Sequence, residues 1–162
     1  MAAIEIDGLT KRYGDHLAVD ELTLTVQRGE AVGFLGPNGA GKSTTIDVLL
    51  DYVRPTAGTV EVFGDDAQTE TRAVHERIGV LPEGYSLYDR LTGREHLRLA
   101  ARLKGTSVDV AAVCDRVGLD VADADRPAGS YSKGMGQRLA IGMATVGDPD
   151  LLILDEPTSG LD

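Results

Sequence analysis

The residues with the clearest chemistry form one unbroken stretch, Gly36-Pro37-Asn38-Gly39-Ala40-Gly41-Lys42-Ser43-Thr44. It matches the pattern G-x-x-x-x-G-K-[ST] without gap or substitution. Its glycines let the backbone wrap tightly and turn its N–H groups inward, which suits phosphate oxygens. A helix that starts at such a loop aims its positive end at the same anion. In that arrangement Lys42 reaches the β- and γ-phosphates and the Ser43 hydroxyl takes one Mg²⁺ position. The alternative is a chance glycine-rich turn. Against it, the apolar run Ala31-Val32-Gly33-Phe34-Leu35 precedes the loop and reads as a buried strand, and Thr44 to Leu50 follows as a helix. The stretch predicts a site for nucleotide phosphate without specifying the base or the use.

The elements around it set the fold class. Ile4 to Leu9 and Leu22 to Val26 alternate apolar and polar residues, as half-buried strands do. Arg28-Gly29-Glu30 is a turn, and Arg54 to Gly58 is another by composition. Thr59 to Phe63 alternates again, Thr69 to Arg77 has a helical flavour, and Ile78 to Leu81, stopped by Pro82, reads as an inner strand. Thr92-Gly93-Arg94-Glu95 is a capping box. It opens an amphipathic helix that carries Leu97, Ala100, Ala101 and Leu103 and ends at Gly105. A further helix is expected from Val108 to about Val117, then a polar connector from Asp120 to Gly129, then a helix from Ser132 to about Val146. Leu151 to Leu154 is an apolar strand with Asp155-Glu156-Pro157 at its end. The chain thus reads as antiparallel strands leading into a parallel α/β core with a helical insertion.

Composition narrows the function. An apolar share of 42% over 162 residues is ordinary for a globular domain. No run approaches the roughly 20 apolar residues of a membrane span. Met1 to Glu5 lacks a basic stretch followed by an apolar one, so a secretory leader is not expected. One cysteine, Cys114, cannot build a disulfide framework or a Cys-based metal site, and it reads as a part-buried helical residue. A net charge of −10 argues against nucleic acid and against electrostatic docking to anionic lipid. Four lysines stand against twelve arginines, and aspartate exceeds glutamate. Such a surface suits high salt; compositional drift in a GC-rich genome would look the same.

Tyr131-Ser132-Lys133-Gly134-Met135-Gly136-Gln137-Arg138 resembles the signature sequence of ATP-binding cassette (ABC) proteins, in a variant with Y-S-K-G-M where others have L-S-G-G-Q. The phosphate loop, the acid pair and the signature fall in the family's order and cover essentially the whole chain. The resemblance implies an α/β fold: a P-loop core with an antiparallel β-subdomain and a helical subdomain inserted at about residues 85–147. It also implies ATP and Mg²⁺ as ligands. Tyr13 stands where the family places an aromatic that stacks on adenine; a Tyr packed under a turn is the alternative. Asp155 matches the carboxylate that holds Mg²⁺ through water, and Glu156 the general base that orients the attacking water. Ser159-Gly160-Leu161-Asp162 matches the loop that communicates across the family's dimer. Ser132 and Gly134 would face the γ-phosphate held by a second subunit, so that two ATPs are sandwiched in a head-to-tail dimer. Lys133 reads equally as a solvated charge.

Two departures qualify the match. The family usually has Gln where Glu83 follows Pro82, and Leu81 to Tyr88 resembles the version in ABC-2-type exporters and drug-resistance ATPases. Glu83 can still accept from water on Mg²⁺, but its role as a hinge is the firmer one. The chain also ends at Asp162, before the family's next strand and its γ-phosphate His, so weak nucleotide binding and poor turnover are expected of it. His16, His75 and His96 all precede Glu156 and are expected at the surface. The implied function is the ATP-hydrolysing subunit of an exporter-type ABC transporter. It would be cytoplasmic, peripheral on the inner face of the membrane, and docked on a separate permease through the groove near Glu83 to Tyr88. Two other readings stay open. A soluble ABC ATPase acting on ribosomes or DNA usually carries paired cassettes, coiled coils or basic arms. The other is a truncated nucleotide-binding module without turnover, a serious reading because the family's C-terminal part is not in the sequence.

Overall fold

The alternation in the first thirty residues becomes a long antiparallel hairpin. The computed structural model describes residues 2–155, in two units, one up to Glu76 and one from Arg77 onward. In the first unit, β1 (Ala2–Tyr13) and β2 (His16–Gln27) pair antiparallel through a tight turn at Gly14 and Asp15. Both strands outrun the stretches that alternate cleanly. Tyr13 faces His16 in the last register position. Two further strands, β3 (Ala57–Val62) and β4 (Asp65–Asp66), complete a sheet of order β2-β1-β3-β4. Ile4 and Ile6 lie opposite Val62 and Val60, and all four are buried, with Leu9 and Val26 beside them in the core. One face of the sheet is therefore apolar, as the period of two requires.

Residues 31–35 depart from expectation. They form no strand, and Leu35 is 95% exposed. An apolar strand of this kind becomes stable as the centre of a parallel sheet, with neighbours on both edges and cover on both faces. Among the described residues no strand pairs with it, so its apolar side chains gain nothing by extending.

The helix after the loop, α1 (Lys42–Leu49), buries Thr45, Val48 and Leu49. It ends at Leu49, and Asp51, two residues beyond, takes the left-handed conformation at φ 55°. Helix α2 (Thr71–Arg77) follows β4.

The second unit holds a two-stranded parallel pair, β5 (Ile78–Leu81) and β6 (Leu151–Leu154), with Ile78 opposite Leu151 and Leu81 opposite Leu154. Three helices lie between them in sequence: α3 (Gly93–Leu103), α4 (Val110–Val117) and α5 (Lys133–Thr145). Leu97 and Ala101 of α3 pack with Val110, Val113 and Cys114 of α4 and Leu139 of α5. Cys114 is fully buried, and burial pushes its thiol above the usual range. The polar connector carries two short 3₁₀ turns, Asp123–Asp125 and Ala128–Ser130, and buries Ala124.

Two expectations for α3 fail. Leu103 is 80% exposed, and His96 is 1% exposed rather than on the surface. At 3.6 residues per turn these two positions, seven apart, lie within about 20° of each other on one flank of the apolar stripe, so angle does not separate them. His96 is covered because the Tyr88 ring stacks on it and its ring nitrogens bond the Tyr88 N–H and the Thr92 carbonyl, whereas Leu103 is the last residue of α3. His16 and His75 are exposed, as expected.

Candidate functional site

The loop from Gly36 to Thr44 turns on left-handed glycines and leads into an uncapped helix start. Ala40 N–H donates to the Pro37 carbonyl at 3.1 Å, which closes the turn, and Gly39 and Gly41 hold φ of 84° and 83°. Both lie in the left-handed region that favours glycine. Gly41 has a second reason: a Cβ there would run into the Ala18 carbonyl oxygen on β2. Gly41 is the N-cap of α1, so no side chain satisfies the first N–H groups of the helix, and no acidic residue occupies its first turn. The intrahelical bonds begin with Thr45 N–H to the Gly41 carbonyl, at 2.9 Å, and the Thr45 hydroxyl donates to the same oxygen at 2.9 Å. The N–H donors before it face out of the helix.

Lys42 completes this electropositive mouth. Its Nζ donates to the Gly36 carbonyl at 2.7 Å and the Pro37 carbonyl at 3.1 Å, curling the ammonium back over the loop. Ser43 is exposed and Thr44 half-buried. Gly36, Pro37, Asn38, Gly39 and Ala40 are all exposed. Tyr13, at the end of β1 in the same unit, is 46% exposed.

The acidic residues belong to the other unit. The parallel register brings the C-terminal ends of β5 and β6 to one edge. Asp155 follows Leu154 directly, and its backbone N–H extends the ladder by donating to the Leu81 carbonyl at 2.9 Å. Glu83 lies two residues past Leu81 on an exposed turn. Both carboxylates therefore sit at the strand edge where open α/β sheets bind ligands. Glu156 and the Ser159 to Asp162 loop lie outside the described residues.

The signature run caps α5. The Ser132 hydroxyl oxygen accepts the Met135 N–H at 3.3 Å, which leaves its own proton to be donated outward. Ser132 and Lys133 are exposed, Gly134 is half-buried, and no acidic residue stands in the first turn. Tyr131 anchors the run from behind: its hydroxyl donates to the Asp123 carbonyl at 2.6 Å, and burial raises its pKa. The N-terminal end of α5 also reaches the Glu83–Tyr88 loop, since a Cβ at Gly136 would touch Leu87.

His96, missed from the sequence, holds that loop. Tyr88 N–H donates to His96 Nε2 at 3.0 Å, which leaves the proton on Nδ1 to be donated to the Thr92 carbonyl at 2.8 Å. The Tyr88 ring stacks on the imidazole with centroids 6.0 Å apart. The available signal was position: four residues after an N-cap Thr, at the edge of an apolar stripe.

The family model described as ABC transporter matches residues 19–159. The chain is 42% identical over 166 residues to a Nod factor export ATP-binding protein I of Burkholderia lata, covering 100% of this chain and 55% of that protein. It is 47% identical over 165 residues to a daunorubicin/doxorubicin resistance ATP-binding protein of Streptomyces peucetius, covering 99% and 50%. The chain spans about half the length of the curated relatives it matches. A dimeric structure of a bacterial ABC transporter cassette superposes with a TM-score of 0.83 at 25% identity, covering 98% of this chain and 76% of that one.

Proposed function

Because this chain belongs to the ABC transporter family, we propose that it binds and hydrolyses ATP as part of an exporter-type transporter and drives a separate membrane-spanning permease. The observation that carries the proposal is the open, uncapped N-terminus of α1, with Lys42 folded over the loop carbonyls. A helix start with no cap and no acid, preceded by left-handed glycines, leaves a row of donors and a cation for a polyphosphate. The export reading rests on the relatives, a Nod factor export protein and a drug resistance protein. Residues about 85–147 form the helical subdomain of this proposal, inserted in the P-loop core.

Each residue then has a role. Tyr13 offers its ring to the base. The backbone from Gly36 to Thr44 holds the phosphates, and Lys42 neutralises charge at the β- and γ-positions. The oxygens of Ser43, Asp155 and Glu83 are the hard donors Mg²⁺ prefers, and Asp155 and Glu83 share one strand edge. When bound, Mg²⁺ supplies positive charge between the phosphates. Glu156 orients the attacking water and takes its proton. Ser132 and Gly134, at the N-terminal end of α5, serve the ATP of a second subunit in a head-to-tail dimer.

The location follows from the same reading: the cytoplasmic side, on the inner face of the membrane, with no nucleic-acid partner. Among the described residues no helix is long and apolar enough to cross a membrane. The test is nucleotide titration of the parent beside Lys42→Ala. Weaker Mg·ATP binding in the variant supports the proposal, and equal affinities remove Lys42 from it.

A further inference from the structure

Lys11 is one of four lysines in the chain, and the phosphate site makes no use of it. Its Nζ lies 4.8 Å from the centroid of the Tyr13 ring, over the ring face. The same Nζ donates to the Arg54 carbonyl at 2.7 Å, across 43 residues of sequence. That carbonyl is itself held. The Arg54 side chain bonds the Gln68 carbonyl at 2.7 Å and pairs with Asp51 at 3.1 Å. Asp51 also accepts the Thr71 hydroxyl at 2.6 Å, and Gln68 donates to the Val48 carbonyl of α1 at 2.8 Å. A chain of polar contacts thus runs from the last turn of α1 through Arg54 to Lys11 and the Tyr13 ring.

We infer that Lys11 is a positioning residue for the base. Its ammonium covers one face of Tyr13, directs the nucleobase to the other, and fixes the ring relative to the helix that carries Lys42 and Ser43. The physics has two parts. A cation over an aromatic face is held by the ring's quadrupole, which restrains the ring before any base arrives. A restrained ring loses less freedom when a base stacks on it, so the affinity gain appears only for ligands that carry a base. The Arg54 contact makes the restraint specific, because it ties a hairpin tip to the phosphate helix. This inference rests on the reading of Tyr13 as the base platform.

Calorimetric titration of the chain with Mg·ATP and with inorganic tripolyphosphate, which has no base, tests it. Tyr13→Ala is expected to weaken ATP binding by about 5- to 150-fold and to leave tripolyphosphate unchanged. Lys11→Met, which keeps the aliphatic stem, is expected to weaken ATP by about two- to fivefold, to leave tripolyphosphate unchanged, and to add nothing in the Tyr13→Ala background. Lys11→Arg, which keeps both the cation and a donor, should retain parental ATP affinity, and it carries the test if the methionine variant unfolds. If Tyr13→Ala leaves ATP binding unchanged, the platform reading fails and takes the inference with it. If Tyr13→Ala weakens ATP but Lys11→Met does not, or Lys11→Met weakens tripolyphosphate as much as ATP, the inference alone is overturned. Loss of ATP affinity in Lys11→Arg equal to that in Tyr13→Ala overturns it too.

Discussion

Helices α1 and α3 begin in opposite ways. At α3 the Thr92 hydroxyl accepts the Glu95 N–H, and the Glu95 carboxylate accepts the Thr92 N–H at 2.8 Å. Each side chain satisfies a donor of the other's backbone. At α1 the cap is a left-handed glycine with no side chain, and the first turn holds no acid. A helix start normally gains about 0.5–2 kcal/mol from an N-cap. The α1 end forgoes that gain and keeps its donors open, while α3 spends them on itself. On the proposed reading, the contrast separates a helix end that binds from one that only folds. The start of α5 lies between the two: Ser132 caps it, but no acid closes the first turn.

The largest expected effect lies at the reaction itself. In a chain extended past Asp162 through the family's γ-phosphate His, Glu156→Gln should keep ATP binding, lose about 10²–10⁴ in turnover, and collect as an ATP-bound dimer on size-exclusion chromatography. Turnover within about twofold of the parent would be incompatible with a positioned base there. The comparison of helix starts is tested more directly by closing the open one. Thr44→Glu adds an acid to the first turn of α1. Thermal melting should show about 0.3–1 kcal/mol of gain from the helix dipole, while ATP affinity falls by about tenfold or more through repulsion of the phosphates. Effects of the same sign on both would break the contrast.

Much of this was legible beforehand, for reasons that vary by element. The loop is a local pattern, and its glycines and Lys42 are defined by backbone needs within nine residues. The α3 cap was legible because Thr92 and Glu95 meet at a fixed spacing. The β1 and β2 strands were read from alternation, but their outer ends carry Lys11, Arg12 and Tyr13, whose pairing depends on the turn rather than on burial. Residues 31–35 show the limit of an apolar run. Its composition states a preference for burial, yet a central strand exists only where neighbours flank it. His96 shows another limit, since the acceptor it offers is used by Tyr88 N–H, eight residues away in the chain. Nothing local marks that partner.

Two smaller effects sharpen the comparison from the closed side. Thr92→Ala should cost about 0.5–2 kcal/mol in chemical denaturation and leave nucleotide affinity unchanged. A loss of ATP affinity in that variant would mean the α3 cap does more than fold the helix. The smallest effect is in pH. The hydrogen bonds from the Thr92 N–H and hydroxyl hold the Glu95 carboxyl below the usual carboxylate range. With its folded pKa depressed, the cap contributes fully above the unfolded value of about 4.3 and is lost as pH falls through the lower folded value. Melting between about pH 5 and pH 3 should therefore lose more in the parent than in Glu95→Gln. Equal slopes would remove Glu95 from the acid sensitivity.

On the proposed reading, the open start of α1 receives nucleotide phosphate. The most direct measurement is titration of Mg·ATP and of inorganic tripolyphosphate into the parent and Lys42→Ala. Removing the ammonium should weaken both ligands by a similar factor of about tenfold or more, with only a small fall in melting temperature without ligand, from loss of its exposed bonds to the Gly36 and Pro37 carbonyls. Equal affinity of parent and variant for both ligands would contradict the claim.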